Sequence, residues 1–193
     1  QQHPESHCYK IPHGLNVKNA APLMCAGVTV FAPMHRHLKK GNHIAVLGVG
    51  GLGHLAVQYG VKMGMTVDAF MSGTKSDKLD YVKSLGTSDI IFWKEQGKLD
   101  KYANTYDAIL FTAPIAPTRE EFDRLIVSLK PRGKLIILGA PDVKEQISLS
   151  FFPLIMGEKS VIGSVVGGRK STEEMLNFSA HHNVECLCEH FLW

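Results

Sequence analysis

From Asn42 onward, short apolar runs rich in β-branched residues alternate with longer amphipathic segments, the order of successive βαβ units in a parallel sheet. The runs predicted as strands are "HIAVLG", "TVDAFM", "DIIFW", "YDAILFTA", "KLIILG" and "KSVIGSVV". Helices are predicted between them, from about Gly51 to Met63, from about Asp77 to Leu85 with Gly86 as the stop, and from about Arg119 to Leu129, ended by "KPRG". A short apolar segment near Phe151 to Met156 precedes the sixth run. A last helix is predicted to open at Ser171, with Glu174 at capping-box spacing. The expected fold class is α/β, a doubly wound parallel sheet of about six strands with right-handed crossovers, the Rossmann arrangement.

The two ends break this rhythm. Four prolines (Pro4, Pro12, Pro22 and Pro33) fall before Asn42. There "CYKIPHGL" reads as an edge strand closing into a turn, and Asn19 to His37 as an interrupted helix entering the sheet. At the other end "NVECLCEHFLW" reads as strand-like, with apolar residues that no later element covers. That points to a piece of a longer chain or to a partner chain. The expected division is a lead-in over residues 1–36, the sheet domain over 37–180 and the start of a further element over 181–193.

The sharpest chemical signal lies where the first run meets the first helix, in "IAVLGVGGLGHLAVQYGVKMG". A strand that turns into a helix within a few residues leaves the first helical N–H groups unpaired and aimed at one spot, a ready site for phosphate. Gly48, Gly50 and Gly53 have the spacing G-x-G-x-x-G, with Gly51 and Leu52 between them. Gly48 permits the turn, Gly50 lets the backbone approach a diphosphate, and Gly53 lets the helix pack on the sheet. A tight βα turn alone would also favour glycines, but the strand before and the helix after support the dinucleotide reading.

The tip of the second strand then selects the dinucleotide. NAD sites carry an acid about 20 residues beyond the glycines; here that place holds Ser72, in "FMSGTKSDK". Asp68 is the nearest carboxylate, but it falls mid-strand, where a residue facing a polar edge is the simpler reading. Ser72, Gly73, Thr74 and Lys75, with Lys78 nearby, offer hydroxyl, amide and cationic donors suited to a 2′-phosphate. The expected cofactor is NADP.

Composition narrows the remaining classes. With 193 residues, 45 % hydrophobic, the chain can bury a sizeable core. Its 21 basic and 18 acidic residues are scattered, without the basic run a nucleic-acid surface needs. No apolar run reaches the roughly 18 residues of a membrane span. Cys8, Cys25, Cys186 and Cys188 make a poor disulfide framework, so a reduced, cytoplasmic setting is expected, with neither nucleic acid nor membrane as partner.

The runs "AAPLMCAGVTVFAPM", "VLGVGGLGHLAVQYGVKMG", "LIILGAP" and "VIGSVVGGRKSTEEML" closely resemble the cinnamyl alcohol dehydrogenase-like branch of the zinc-dependent, medium-chain alcohol dehydrogenases, a likeness that extends over essentially the whole chain. The resemblance implies an NADP-dependent oxidoreductase acting on a small alcohol or aldehyde, in which zinc polarises the substrate oxygen during hydride transfer. It implies Cys25 as the last of the family's zinc ligands, two cysteines and a histidine, and places Thr29 beside the nicotinamide. It further implies cofactor contacts at Thr112 and Ala113, at Leu138, Gly139 and Ala140, and at Ser164 and Val166. His54 matches a residue common in this branch, where it helps pack the first helix. The edge "SVIGSVV" is expected to pair with a second copy, by analogy with family dimers.

Measured against that family, the first zinc ligands, a proton-relay histidine and a four-cysteine zinc lobe belong ahead of residue 1, in a GroES-like catalytic domain of which both ends here are remnants. The chain is therefore expected to be the cofactor-binding part, with zinc held only if other ligands are supplied, since catalytic zinc takes three protein ligands. The rival reading is a shortened, non-catalytic module kept for assembly or nucleotide binding. Cys186, Cys188 and His190 alternate along the C-terminal run, but that spacing spreads ligands about 7 Å apart. His3, His7, His13, His35, His37 and His43 read as solvated residues of irregular segments.

Overall fold

The computed structural model describes residues 4–73, 76–95, 97–142, 144–189 and 191. Thr74, Lys75, His3 and His190 lie outside them. The lead-in forms helix α1 (Val17–Pro22), a single wide π-type turn (Leu23–Gly27) and helix α2 (Val28–His37). This is the interrupted helix expected there. Among the described residues six strands and five α-helices follow: β1 (His43–Leu47), α3 (Gly53–Lys62), β2 (Thr66–Met71), α4 (Ser76–Ser84), β3 (Asp89–Phe92), β4 (Tyr106–Phe111), α5 (Arg119–Ser128), β5 (Leu129–Ile137), α6 (Phe151–Gly157), β6 (Ser160–Gly163) and α7 (Arg169–His182).

All pairings are parallel, in the order β3-β2-β1-β4-β5-β6, the two-winged order of a dinucleotide-binding sheet. The central strands are apolar at nearly every position because both faces are covered. Ile44 and Val46 of β1, with Ala108 and Leu110 of β4, join a cluster containing Phe31, Leu55, Tyr59 and Met175 of α2, α3 and α7. Ala45, Leu47, Ile109 and Phe111 point to the other face, against Phe122, Leu125 and Ile126 of α5.

Several expectations are corrected. Residues 8–15 contain no strand, and neither do the described residues of 183–191. Helix α7 begins at Arg169 with Gly168 as its cap and no side-chain capping bond, so Ser171 and Glu174 form no capping box. The capping box lies instead at α5: Thr118 Oγ1 accepts from the Glu121 N–H, and the Glu121 carboxylate accepts from the Thr118 N–H. Strand β5 starts five residues earlier than "KLIILG", because Leu129 pairs with Tyr106 before Lys130–Gly133 bulge out and Lys134 resumes opposite Ala108. His35 and His37 belong to α2, not to an irregular segment.

His43 is a strand residue with a task. Its Nε2 lies 2.8 Å from Asp68 Oδ2, and the Tyr106 hydroxyl donates to the same oxygen at 2.9 Å. Asp68 is thus buried between partners from β1 and β4 and does not face a polar edge. Burial, then the Asp68 charge, pushes the Tyr106 phenol well above its usual range. Removing the carboxylate strands two polar groups. Asp68→Ala is expected to cost about 3 kcal/mol of folding free energy, and Tyr106→Phe about 1 kcal/mol, in urea denaturation.

Candidate functional site

The turn after β1 is built on two steric necessities. Gly48 takes φ +89°, and a Cβ there would stand 2.7 Å from Ala113 Cβ. A Cβ on Gly53 would overlap the Gly48 carbonyl, so only glycine lets the first turn of α3 press against the end of β1. The Thr112 hydroxyl clamps the same place, 2.9 Å from Leu47 O and 2.6 Å from Gly48 O. Gly50 and Gly51 differ: nothing lies within 4 Å of a Cβ added to either, and neither has a positive φ. The fold alone does not require glycine at these two exposed positions.

Among the described residues the N–H groups of Gly51, Leu52 and Gly53 donate to no protein acceptor, while the Gly50 carbonyl accepts from the His54 N–H at 3.0 Å. Three amides therefore stand open at the head of α3, where the helix dipole adds partial positive charge. His54 fixes the turn from below. Its Nε2 accepts the Leu187 N–H at 3.2 Å, which leaves Nδ1 to donate to Gly50 O at 3.0 Å. His54 is thus a clamp between the glycine turn and the segment after α7, a role beyond packing that no local sequence signal reveals, since Leu187 lies far along the chain.

Beside the turn opens a cleft of about 380 Å³ lined by Gly48, Val49, Met71, Ser72, Gly73 and Lys78. Among the described residues no carboxylate lines it. Asp68 is committed three residues back in β2, beneath the sheet surface. Ser72 and Gly73 follow the end of β2, and Lys78 comes from α4. Val49 and Met71 were not singled out from the sequence, although they flank the two motifs that were.

The other expected contacts lie at the same C-terminal rim of the sheet. Thr112 and Ala113 follow β4, Leu138 to Ala140 follow β5, and Ser164 and Val166 follow β6. Gly139 is packed so tightly that a Cβ would overlap the Ala113 carbonyl, and the Ser164 N–H donates to Ile137 O at 3.1 Å. Val166 holds φ +30°. The head of α2 reaches this rim too, because a Cβ on Gly167 would stand 2.6 Å from Val28 Cγ2. Thr29 is there, buried, its hydroxyl donating to Cys25 O at 2.7 Å. Cys25 sits in the π-type turn with its residue exposed, and does not fill the core as a small apolar residue would.

Residues of this chain do not by themselves fit a zinc site: among those described, no group of three or more His, Cys, Asp or Glu could hold a metal ion. Cys186 belongs to the core instead, and burial, then its neighbour Cys188, pushes its thiol up to about 12. Among the described residues no helix is long and apolar enough to cross a membrane.

Comparison with known proteins places this geometry. Residues 51–181 match the zinc-binding dehydrogenase family. Cinnamyl alcohol dehydrogenase 7 of Arabidopsis thaliana is 39 % identical over 186 residues, which are 93 % of this chain and 49 % of that protein. A cinnamyl alcohol dehydrogenase structure from Sorghum bicolor superposes with a TM-score of 0.82 at 32 % identity, covering 91 % of this chain and 49 % of that one. A Helicobacter pylori cinnamyl alcohol dehydrogenase complexed with NADP(H) gives 0.76 at 34 % identity, covering 89 % and 47 %. The chain thus spans about half the length of the relatives it matches. A parallel six-stranded sheet in this order, a glycine turn of this build and a match over most of its length together make the chain a member of the zinc-binding dehydrogenase family, with cinnamyl alcohol dehydrogenases among its relatives.

Proposed function

We propose that this chain is the dinucleotide-binding part of an alcohol dehydrogenase that takes NADP in preference to NAD and works on a small alcohol or aldehyde. The observation that carries the reading is the pair Gly50 and Gly51, glycines that no protein neighbour requires, beside a cleft whose described lining holds a lysine and no carboxylate. Glycine where the fold leaves open space is what close backbone approach by a ligand demands. The relatives' names supply the reaction class, and the structure with NADP(H) among them is in keeping with the cofactor.

In this reading the amides of Gly51, Leu52 and Gly53 bind the diphosphate. Ser72, Gly73 and Lys78, joined by Thr74 and Lys75, hold the 2′-phosphate by charge-assisted hydrogen bonds. Thr112 sets the shape of the crevice in advance, since its hydroxyl ties down both carbonyls at the end of β1. Ala113, Leu138, Gly139, Ala140, Ser164 and Val166 wall the remainder of the groove. Thr29 at the head of α2 and Cys25 in the π-type turn before it face the reacting end, and Thr29 fixes the backbone of the turn that carries the Cys25 thiol. When bound, the nicotinamide supplies the acceptor or donor of hydride. Zinc would need ligands from outside the described residues.

The open outer edge of β6 and the apolar side chains beside it, Phe151, Phe152 and Val165, each more than 70 % exposed, fit a second copy adding its own β6 to the sheet.

Titration calorimetry of the chain is expected to give an NADPH dissociation constant at least about tenfold below that for NADH, the worth of one charge-assisted contact. Ser72→Asp is expected to erase or reverse that order, and a tighter constant for NADH in the unaltered chain would refute the preference. Gly53→Ala is expected to cost about 2 kcal/mol in denaturation and to weaken NADPH by more than about tenfold, because α3 must back away from Gly48. Native mass spectrometry is expected to show a dimer that Val161→Pro, which removes an edge N–H, converts to monomer.

A further inference from the structure

At the end of the sheet opposite the glycine turn, three chain segments surround a second cleft, of about 430 Å³. Arg36 and His37 come from the end of α2 and Lys39 from just beyond it, while Arg132 and Lys134 come from the β5 bulge. The bulge makes the arrangement. Lys130–Gly133 leave the ladder, Arg132 turns through a left-handed φ of +63°, and a Cβ on Gly133 would stand 2.8 Å from Lys130 O. A non-glycine residue in that conformation is strained and persists only where the surroundings dictate it. Here it holds two cations at the mouth of a cleft.

Charge in the cleft is not balanced. Among the described residues that line it, the one carboxylate, Asp107, is occupied by Lys130 Nζ at 2.8 Å and the His43 N–H at 2.7 Å. Burial pushes that carboxyl up, but the Lys130 and His43 contacts outweigh it and hold Asp107 below the usual range. Arg132 meets Glu158 at 2.9 Å. Among the described residues, Arg36, Lys39 and Lys134 meet no carboxylate. Burial, then the charges of Arg36 and Lys134, holds His37 below its ordinary pKa, as an unspent positive field would. The α2 dipole accounts for basic residues at that helix's own C-terminus, but not for Arg132 and Lys134 brought to them from another element.

We propose that this cleft is an anion site for a compact oligophosphate, a run of two or three phosphate groups, separate from the dinucleotide site. Its lining is basic and polar, with only Leu38 and Pro131 apolar and no shelf for the hydrophobic side chains of a peptide. Arg36 presents a planar fork and Lys39 and Lys134 point charges, the pairing phosphate chains use. The phosphates could belong to a free inorganic chain or to the tail of a nucleotide; the chemistry recognised is the same.

The test is calorimetry of the full chain with tripolyphosphate and, separately, with ATP, at two salt concentrations. One equivalent of tripolyphosphate is expected to bind, more weakly at the higher salt. Arg36→Ala and Lys134→Ala are each expected to weaken it about tenfold, the loss of one charge-assisted contact, with Lys78→Ala without effect. Lys39→Ala, at an exposed position, gives the same readout should either of the first two unfold. Equal affinities for the two probes assign the site to the phosphate chain alone, and tighter ATP to a nucleotide's tail; both support it. Absence of binding would overturn the proposal. So would weakening by Lys78→Ala alone, which reassigns the anion to the glycine-turn cleft, or binding of a polyglutamate peptide without tripolyphosphate, which points to an acidic protein partner. No arm uses a nicotinamide cofactor, so its failure and that of the proposed dinucleotide function are distinguishable.

Discussion

Contact between Gly53 and the Gly48 carbonyl sets how closely the first crossover helix lies against the first strand. Everything at the rim of the sheet takes its position from that approach. With α3 drawn in, the Thr112 hydroxyl reaches both Leu47 O and Gly48 O, and Ala113 comes to rest against Gly48. Gly139 then packs on Ala113, so the ends of β1, β4 and β5 form one rigid lip. The amides of the turn are left over because the first N–H groups of a helix have no carbonyl one turn earlier to donate to. The proposed anion site is, in this sense, the by-product of a packing solution.

The sheet that carries this lip has opposite demands at its two ends. At the C-terminal rim polar groups are left open, whereas near the strand starts they are paired: Asp68 with His43 and Tyr106, Asp107 with Lys130 and the His43 amide. The basic cleft is the exception at that end, and it exists only because β5 departs from the ladder there. One irregularity in an otherwise regular strand separates a neutralised surface from a charged one.

Period and punctuation were sufficient for the sheet. The alternation of apolar runs with amphipathic segments named all six strands and their order of connection, and the glycine spacing located the turn, because each depends on residues near in sequence. What was illegible depended on distant partners. His43 looked like a solvated histidine since nothing nearby announces Asp68 and Tyr106, which reach it from β2 and β4. His54 gave no sign of its bond to Leu187. Ser171 and Glu174 had capping-box spacing, yet α7 starts two residues earlier, at Arg169, where Gly168 rather than a hydroxyl begins the helix. The β5 bulge escaped because "KPRG" reads as a helix stop, and only the pairing of Leu129 with Tyr106 shows that the strand has already begun.

That dependence on distant partners also governs how the molecule comes together. β1 cannot complete its ladder until β4 exists, since Ile44 pairs with Ala108, and β4 in turn waits for the far side of the β5 bulge. Closing such loops before their contacts return any free energy makes an all-parallel sheet slow to assemble. During synthesis on a ribosome, the apolar strand His43–Leu47 therefore stays without its central neighbour for many residues of growth, a window in which chaperone binding or mispairing competes with the native route.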